Sequence, residues 1–117
     1  MSRSIVFYRT ASGQCPVEEF LDGLSGKQAQ KVAWVLKLVE ELDFVPSQYF
    51  QKMVSTEDLW EVRIQAGSDM LRLLGFFDGP SLVALAHGFQ KKTQKTPRPA
   101  IRIAEERKRD YFRRKQK

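Results

Sequence analysis

Cysteine and histidine each occur once in this 117-residue chain, as Cys15 and His87. One thiol closes no intramolecular disulfide and builds no cysteine-rich zinc site, so a reducing, cytosolic setting is expected. Long apolar runs are scarce as well. The longest, such as residues 82–86 (LVALA), fall far short of a bilayer span, and the amino terminus lacks the apolar stretch of a secretion signal. Absent too are a glycine-rich phosphate loop, a G-x-S-x-G elbow and a His-Glu metal motif. With a single histidine and no Asp/His cluster, neither a metal site nor a cofactor is expected. A serine or cysteine triad would need His87 as its base, and nothing marks Ser12, Ser25 or Cys15 as its nucleophile. These gaps set aside a membrane protein, a secreted disulfide scaffold and a multidomain enzyme.

What is present reads as one globular domain over residues 1–117, with 42% hydrophobic and 29% charged residues. A chain of this length buries roughly two-thirds of its unfolded surface, enough for a core without staples. The charge is unevenly spread. Residues 1–90 carry 8 Lys+Arg against 11 Asp+Glu, whereas residues 91–117 carry 12 against 3, for the overall +6. A mildly acidic body with a basic carboxy-terminal quarter points to a polyanion such as nucleic acid, or to a solvated charge-rich helix.

Residues 4–8 (SIVFY) read as a first strand, followed by a polar loop over 10–14. Pro16 suits the first turn of a short helix over 16–21, with Glu18 and Glu19 near its positive end. Ser25 is placed to cap a longer helix reaching about Leu42. Val32, Val35, Leu36, Val39 and Leu42 share one face of it, and Trp34 and Leu38 form a second apolar stripe. That stripe is expected in the core, with a partner-binding surface as the alternative. Residues 43–58 read as an irregular connection. Three alternating segments follow, 59–65 (LWEVRIQ), 69–77 (DMLRLLGFF) and 81–89 (SLVALAHGF), separated by glycine-containing turns that imply antiparallel hairpins. The first strand is expected at one edge of this meander. A basic loop, QKKTQKT, precedes a last helix opened by Pro97 or Pro99, with Ile101, Ala104, Tyr111 and Phe112 inward. The fold class is α+β.

The residues left to carry chemistry are cations: Arg63, Arg72, His87, Lys91, Lys92 and Lys95. Alternation places Glu61 and Arg63 opposite Trp60, Val62 and Ile64, and puts Arg72 on the face of Met70, Leu74 and Phe76. Two arginines on neighbouring strands and a histidine on the third would meet on one concave face. Arginine holds phosphate oxygens bidentately, and lysine or histidine trades a proton where its surroundings adjust its pKa. RNA brings its own nucleophile, the 2′-hydroxyl, so positioning, proton transfer and charge stabilisation suffice to cleave it. Each cation also has a plainer reading. Arg63 is a surface partner of Glu61 or Asp58, His87 a hydrogen-bonded core residue, and the three lysines a soluble loop. Arg72, flanked by bulky apolar residues, is the strongest functional candidate, because an unpaired guanidinium there is costly. Cys15, just before a helix, reads as a small buried residue.

The order PVEEFLDGL, long helix, LWEVR, MLRLLGFF and LVALAHGFQKKTQKTP, closed by a basic helix, resembles the RelE/HigB toxin superfamily and within it the phage-derived HigB-like branch. The stretch HGFQKKTQKTP at 87–97 is the most specific part, followed by LWEVR at 59–63 and the strand around Arg72. The resemblance implies a RelE/ParE-like fold: two amino-terminal helices on a twisted, mainly antiparallel sheet, with a basic carboxy-terminal helix. It also implies the toxin of a type II toxin–antitoxin system, a cytoplasmic, metal-independent endoribonuclease that cuts mRNA on the ribosome. Its partners would be mRNA, the ribosome and a cognate antitoxin, expected to be of helix-turn-helix type, with no membrane involved. Carried across, Arg63 and Arg72 hold the scissile phosphate, Lys92 and His87 assist proton transfer, and Lys91, Lys95 and Arg98 position RNA. Two positions depart from the pattern. Thr96 and Pro97 stand where some RelE-type members have tyrosine, and Leu71 replaces the tyrosine usual in the branch. Two alternatives remain at this point: a ParE-like poison of DNA gyrase, and an RNA-binding module without catalysis. An acidic or apolar antitoxin segment is expected to cover the basic face or the Trp34/Leu38 stripe.

Overall fold

The longest amino-terminal helix starts where the sequence places its cap. Ser25 Oγ accepts from the Gln28 N–H at 3.2 Å, while Gln28 Oε1 accepts from the Ser25 N–H at 3.0 Å, so two helix-end donors are satisfied reciprocally. The computed structural model describes residues 2–92 and 95–116. Within them the order is β1 (Ser4–Phe7), α1 (Pro16–Asp22), α2 (Gly26–Glu41), β2 (Phe50–Lys52), β3 (Trp60–Ala66), β4 (Asp69–Asp78), β5 (Leu82–Lys91) and α3 (Arg98–Lys115). The basic loop expected after β5 falls partly on residues 93 and 94, which lie outside the described residues. Among the described residues, no helix is long and apolar enough to cross a membrane.

The fold is α+β, with three helices and a five-stranded mixed sheet in the order β1-β5-β4-β3-β2. β3, β4 and β5 form the expected antiparallel meander, joined by turns in which Gly67 and Gly79 adopt positive φ. β1 lies at one edge and runs parallel to β5, with Ser4 opposite Leu82, so the sheet is mixed. At the other edge, β2 falls inside the stretch read from sequence as irregular. Three residues are too few to show alternation, and β2 forms because pairing with β3 buries Phe50 against Trp60 and Phe77. The two amino-terminal helices do not act as a unit: α1 rests on β5, and α2 on β3 and β1.

Alternation gives the sheet two apolar faces. Val62, Ile64, Leu71, Leu73, Val83 and Leu85 pack beneath Val17 of α1 and Val32, Val35 and Val39 of α2. On the opposite face, Phe76, Ala84 and Ala86 meet Tyr111 and Phe112, while Leu59 and Leu74 meet Ala100 and Ala104 of α3. α1 approaches β5 so closely that a β-carbon built at Gly88 would lie 2.5 Å from the Phe20 ring. The Trp34 stripe is corrected from core to surface: Trp34 is 46% exposed, edge-on to Tyr49 and capped by the Lys31 ammonium at 4.5 Å. Cys15 is buried at the start of α1. α3 covers β4 and β5, and the β3 side of that face stays open.

Candidate nucleic-acid interface

Arg63 and Arg72 are direct partners in the β3–β4 ladder, and cross-strand partners share a face. Phe89 lies opposite Arg72 on β5, and two residues on, Lys91 lies opposite Met70. Strand pairing alone therefore gathers Arg63, Arg72 and Lys91 beside the part of the sheet that α3 leaves uncovered. Arg72 is only 4% exposed. Its Nη1 donates to the Leu71 carbonyl at 2.9 Å, but its Nε has no hydrogen-bond partner among the described residues. Glu61 Oε2 lies 3.7 Å from that nitrogen. Burial pulls the Arg72 pKa down, the Glu61 carboxylate props it up and Arg63 pushes it down again.

Glu61 was read from sequence only as a surface partner for Arg63. It is in fact buried at the centre of the group. Its Oε1 lies 3.7 Å from Arg63 Nε, and its Oε2 accepts the Thr96 hydroxyl at 2.7 Å. The signal for it was available in LWEVR, where alternation puts Glu61 on the arginine side. Arg63 also donates to Gln51 Oε1 at 3.1 Å, which ties it to the short strand β2. Lys91 is buried as well, and its pKa is lowered by burial first and by Arg72 next, with Glu61 opposing. A cleft of about 600 Å³ opens over Glu61, Arg63 and Lys91, lined also by Lys95, Thr96 and Lys52 but not by Arg72. Around the edge of β3, a second opening of about 300 Å³ reaches Arg63 and Arg72 from the side of Lys31 and Tyr49.

The remaining sequence candidates are placed differently. Lys92 is exposed just beyond β5 and does not line the cleft. Arg98 is exposed in the first turn of α3, in a neighbouring groove. His87 stacks on Phe89, and its Nδ1 is 3.4 Å from Arg107 Nη1 of α3. Burial, reinforced by the Arg107 charge, lowers its pKa to about 4, so the ring is neutral at pH 7. Of the two departures from the toxin pattern, Leu71 is fully buried in the core under α1 and α2, on the face away from Arg72. A tyrosine there would point away from the cleft. Thr96, by contrast, brings its hydroxyl to Glu61.

The basic tail is not a free polyanion surface over its whole length. Lys108 and Arg109 hold Glu57, by its carbonyl and its carboxylate respectively. Arg113 and Arg114 pair with Asp110, each at 2.7 Å, and the Tyr8 hydroxyl donates to Asp110 at 2.5 Å. Lys115 and Tyr111 both reach Asp78. The Tyr8 bond, then Arg114 and Arg113, hold the Asp110 pKa down to about 2.

Residues 19–109 match the family described as phage derived protein Gp49-like (DUF891). The match takes in well over half of the chain, which belongs to that family, and the family is related to the RelE toxins of toxin–antitoxin systems. No curated protein matches the chain.

Proposed function

We propose that this Gp49-like chain, with a fold of the RelE/ParE type, is a HigB-like toxin that cuts mRNA on the ribosome. The observation that carries the reading is Arg72, a buried guanidinium with an unfilled donor beside Glu61, reached by the smaller opening at the edge of β3, while Arg63, Lys91 and Glu61 line the larger cleft. Buried unsatisfied donors are rare in native proteins, and a catalytic or ligand-binding role is one of the reasons they are kept. In the reaction, a 2′-oxygen attacks the adjacent phosphorus and the bond from phosphorus to the 5′-oxygen breaks. The products are a 2′,3′-cyclic phosphate and a 5′-hydroxyl. Arg72 and Arg63 hold the non-bridging oxygens as charge builds there. Glu61 accepts the 2′-hydroxyl proton, and Lys91, with its lowered pKa, delivers one to the departing oxygen. Lys91 thus takes the part that the resemblance implied for Lys92. Lys95 positions the backbone, and neutral His87 supports Phe89 and Arg107 rather than moving a proton.

The test is cleavage of mRNA on programmed ribosomes by the purified protein. The wild type is expected to yield fragments with 2′,3′-cyclic phosphate ends, and Arg72→Ala to slow their formation about 10²–10³-fold. Intact transcripts, with supercoiling inhibited in a gyrase assay, would sink the nuclease in favour of a ParE-like poison. One observation favours a second reading, RNA binding without cleavage: Glu61 already sits between both guanidinium groups. Salt-sensitive RNA binding with no cut, ribosomes present, would establish it. Family membership also points to an antitoxin, expected to co-purify when its gene is expressed alongside.

A further inference from the structure

Six of the eight cations on α3 are held within the molecule. Arg107 donates to the Ala86 carbonyl, Lys108 and Arg109 hold Glu57, and Arg113, Arg114 and Lys115 meet Asp110 or Asp78. Arg98 and Arg102 make no hydrogen bond or ion pair among the described residues. They stand four apart, hence on one face of the helix about a turn from each other. Both are exposed, and both line a groove of about 350 Å³ between α3 and residues 53–58, with Ser55, Thr56 and Ile101.

The loop forming the other wall is built to stay in place. Thr56 Oγ1 donates to the Met53 carbonyl at 3.0 Å and accepts from the Leu59 N–H at 3.1 Å. The Glu57 N–H donates to Glu105 Oε2 at 3.0 Å, and the Glu57 carboxylate pairs with Arg109. Ser55 and Asp58 adopt positive φ, an uncommon conformation for residues with a side chain, which these bonds hold. Against this rigid background Val54 is 88% exposed. Val54, Ser55 and Ile101 also line the larger cleft over Glu61, Arg63 and Lys91, so cleft and groove are continuous.

We infer that Arg98 and Arg102 form a second phosphate subsite for single-stranded RNA, one that grips the strand beyond the linkage held by Arg72. The inference rests on the nuclease reading only for what happens at Arg72; the gripping itself needs no cleavage. Two unpaired guanidinium groups on a preformed wall lose little on meeting phosphates and release counterions when they do. Val54, standing proud between the two openings, offers an apolar contact to a base. Glu105 lines the same groove with a carboxylate already bonded to the loop, and the residues shared with the cleft lead the path toward it.

The experiment measures binding of a 2′-O-methyl RNA twelve-mer, which the proposed chemistry cannot cut, to the full chain over a series of salt concentrations. Arg98→Gln with Arg102→Gln is expected to weaken binding about tenfold and to lower the salt slope by about 0.7 for each phosphate left without its guanidinium. The melting temperature should not move, since neither side chain has an internal partner. Arg113→Gln, which removes a cation paired with Asp110, should leave the salt slope unchanged, and Val54→Ser should weaken binding without changing it. An unchanged slope and affinity in the double variant, while the wild type cuts mRNA on ribosomes, would overturn the subsite and spare the nuclease. A weakened double variant in a protein that never cuts RNA would uphold the subsite and sink the nuclease.

Discussion

Around β3, β4 and β5, cations are drawn together with one carboxylate, Glu61, at their centre; along the last turns of α3, nearly every cation meets an acidic group or carbonyl. The first group is crowded and partly dehydrated, which pulls the pKa of Arg72 and Lys91 down. The second is spread over the surface and, with the Tyr8–Asp110 bond, fastens α3 to the body through Asp78 and Glu57. Equal charge thus serves opposite ends. Uncompensated cations in low dielectric are available for an incoming anion, whereas paired ones at the rim add orientation and modest stability.

The sharpest way to break this comparison is to remove neighbouring lysines that differ in burial. Lys91→Ala is expected to reduce mRNA cleavage about 10²-fold, the range of a lost acid–base group, and Lys92→Ala to leave it within about twofold. Equal losses in a ribosome-programmed assay would put the working cation outside the cleft. The opposite region answers to stability rather than rate. Asp110→Asn removes the shared partner of Tyr8, Arg113 and Arg114 and should cost about 1–3 kcal/mol in denaturant unfolding. Cleavage per folded molecule should be unchanged; a loss there would mean that α3 docking shapes the cleft.

Acid gives the most gradual effect, in two stages. The folded chain favours neutral His87, whose pKa is about 4 against an ordinary 6.5, so that contribution is complete above pH 6.5 and fades as pH falls toward 4. The fold also favours ionised Asp110, whose pKa is about 2, and that contribution fades as pH falls from about 4 toward 2. The melting temperature should fall over both windows. His87→Gln should flatten the upper one, and Asp110→Asn the lower one. A melting curve flat from pH 7 to pH 4 would show that the imidazole is not shielded as its position against Arg107 and Phe89 requires.

Much of this arrangement could be read from local pattern. Ser25 announces the start of α2, glycine turns announce the hairpins, and period-two alternation puts Arg63 and Arg72 on one side of their strands. β2 was hidden because a three-residue strand has no period to detect, and its stability comes from Phe50 packing on distant rings. Trp34 misled for a related reason. Helical spacing shows that Trp34 and Leu38 share a face, but not whether that face meets the sheet. Glu61 and Lys91 were visible as residues and misjudged as environments, since burial depends on strands far apart in the chain.

Chain order and composition alone determined the α+β class, the antiparallel meander, the Ser25 cap of α2 and the concentration of positive charge after residue 90. These follow from short-range sterics, hydrogen bonding and the periodicity of apolar side chains, all written within a few residues of one another. Which cations are left free was decided only by the folded arrangement. It set Glu61 between Arg63 and Arg72, buried Lys91 and not Lys92, and tied the end of α3 to Asp78 and Tyr8 while leaving Arg98 and Arg102 open. The physical reason is that charge is local to a residue, whereas its partner and its solvent are supplied by whatever the rest of the chain brings alongside.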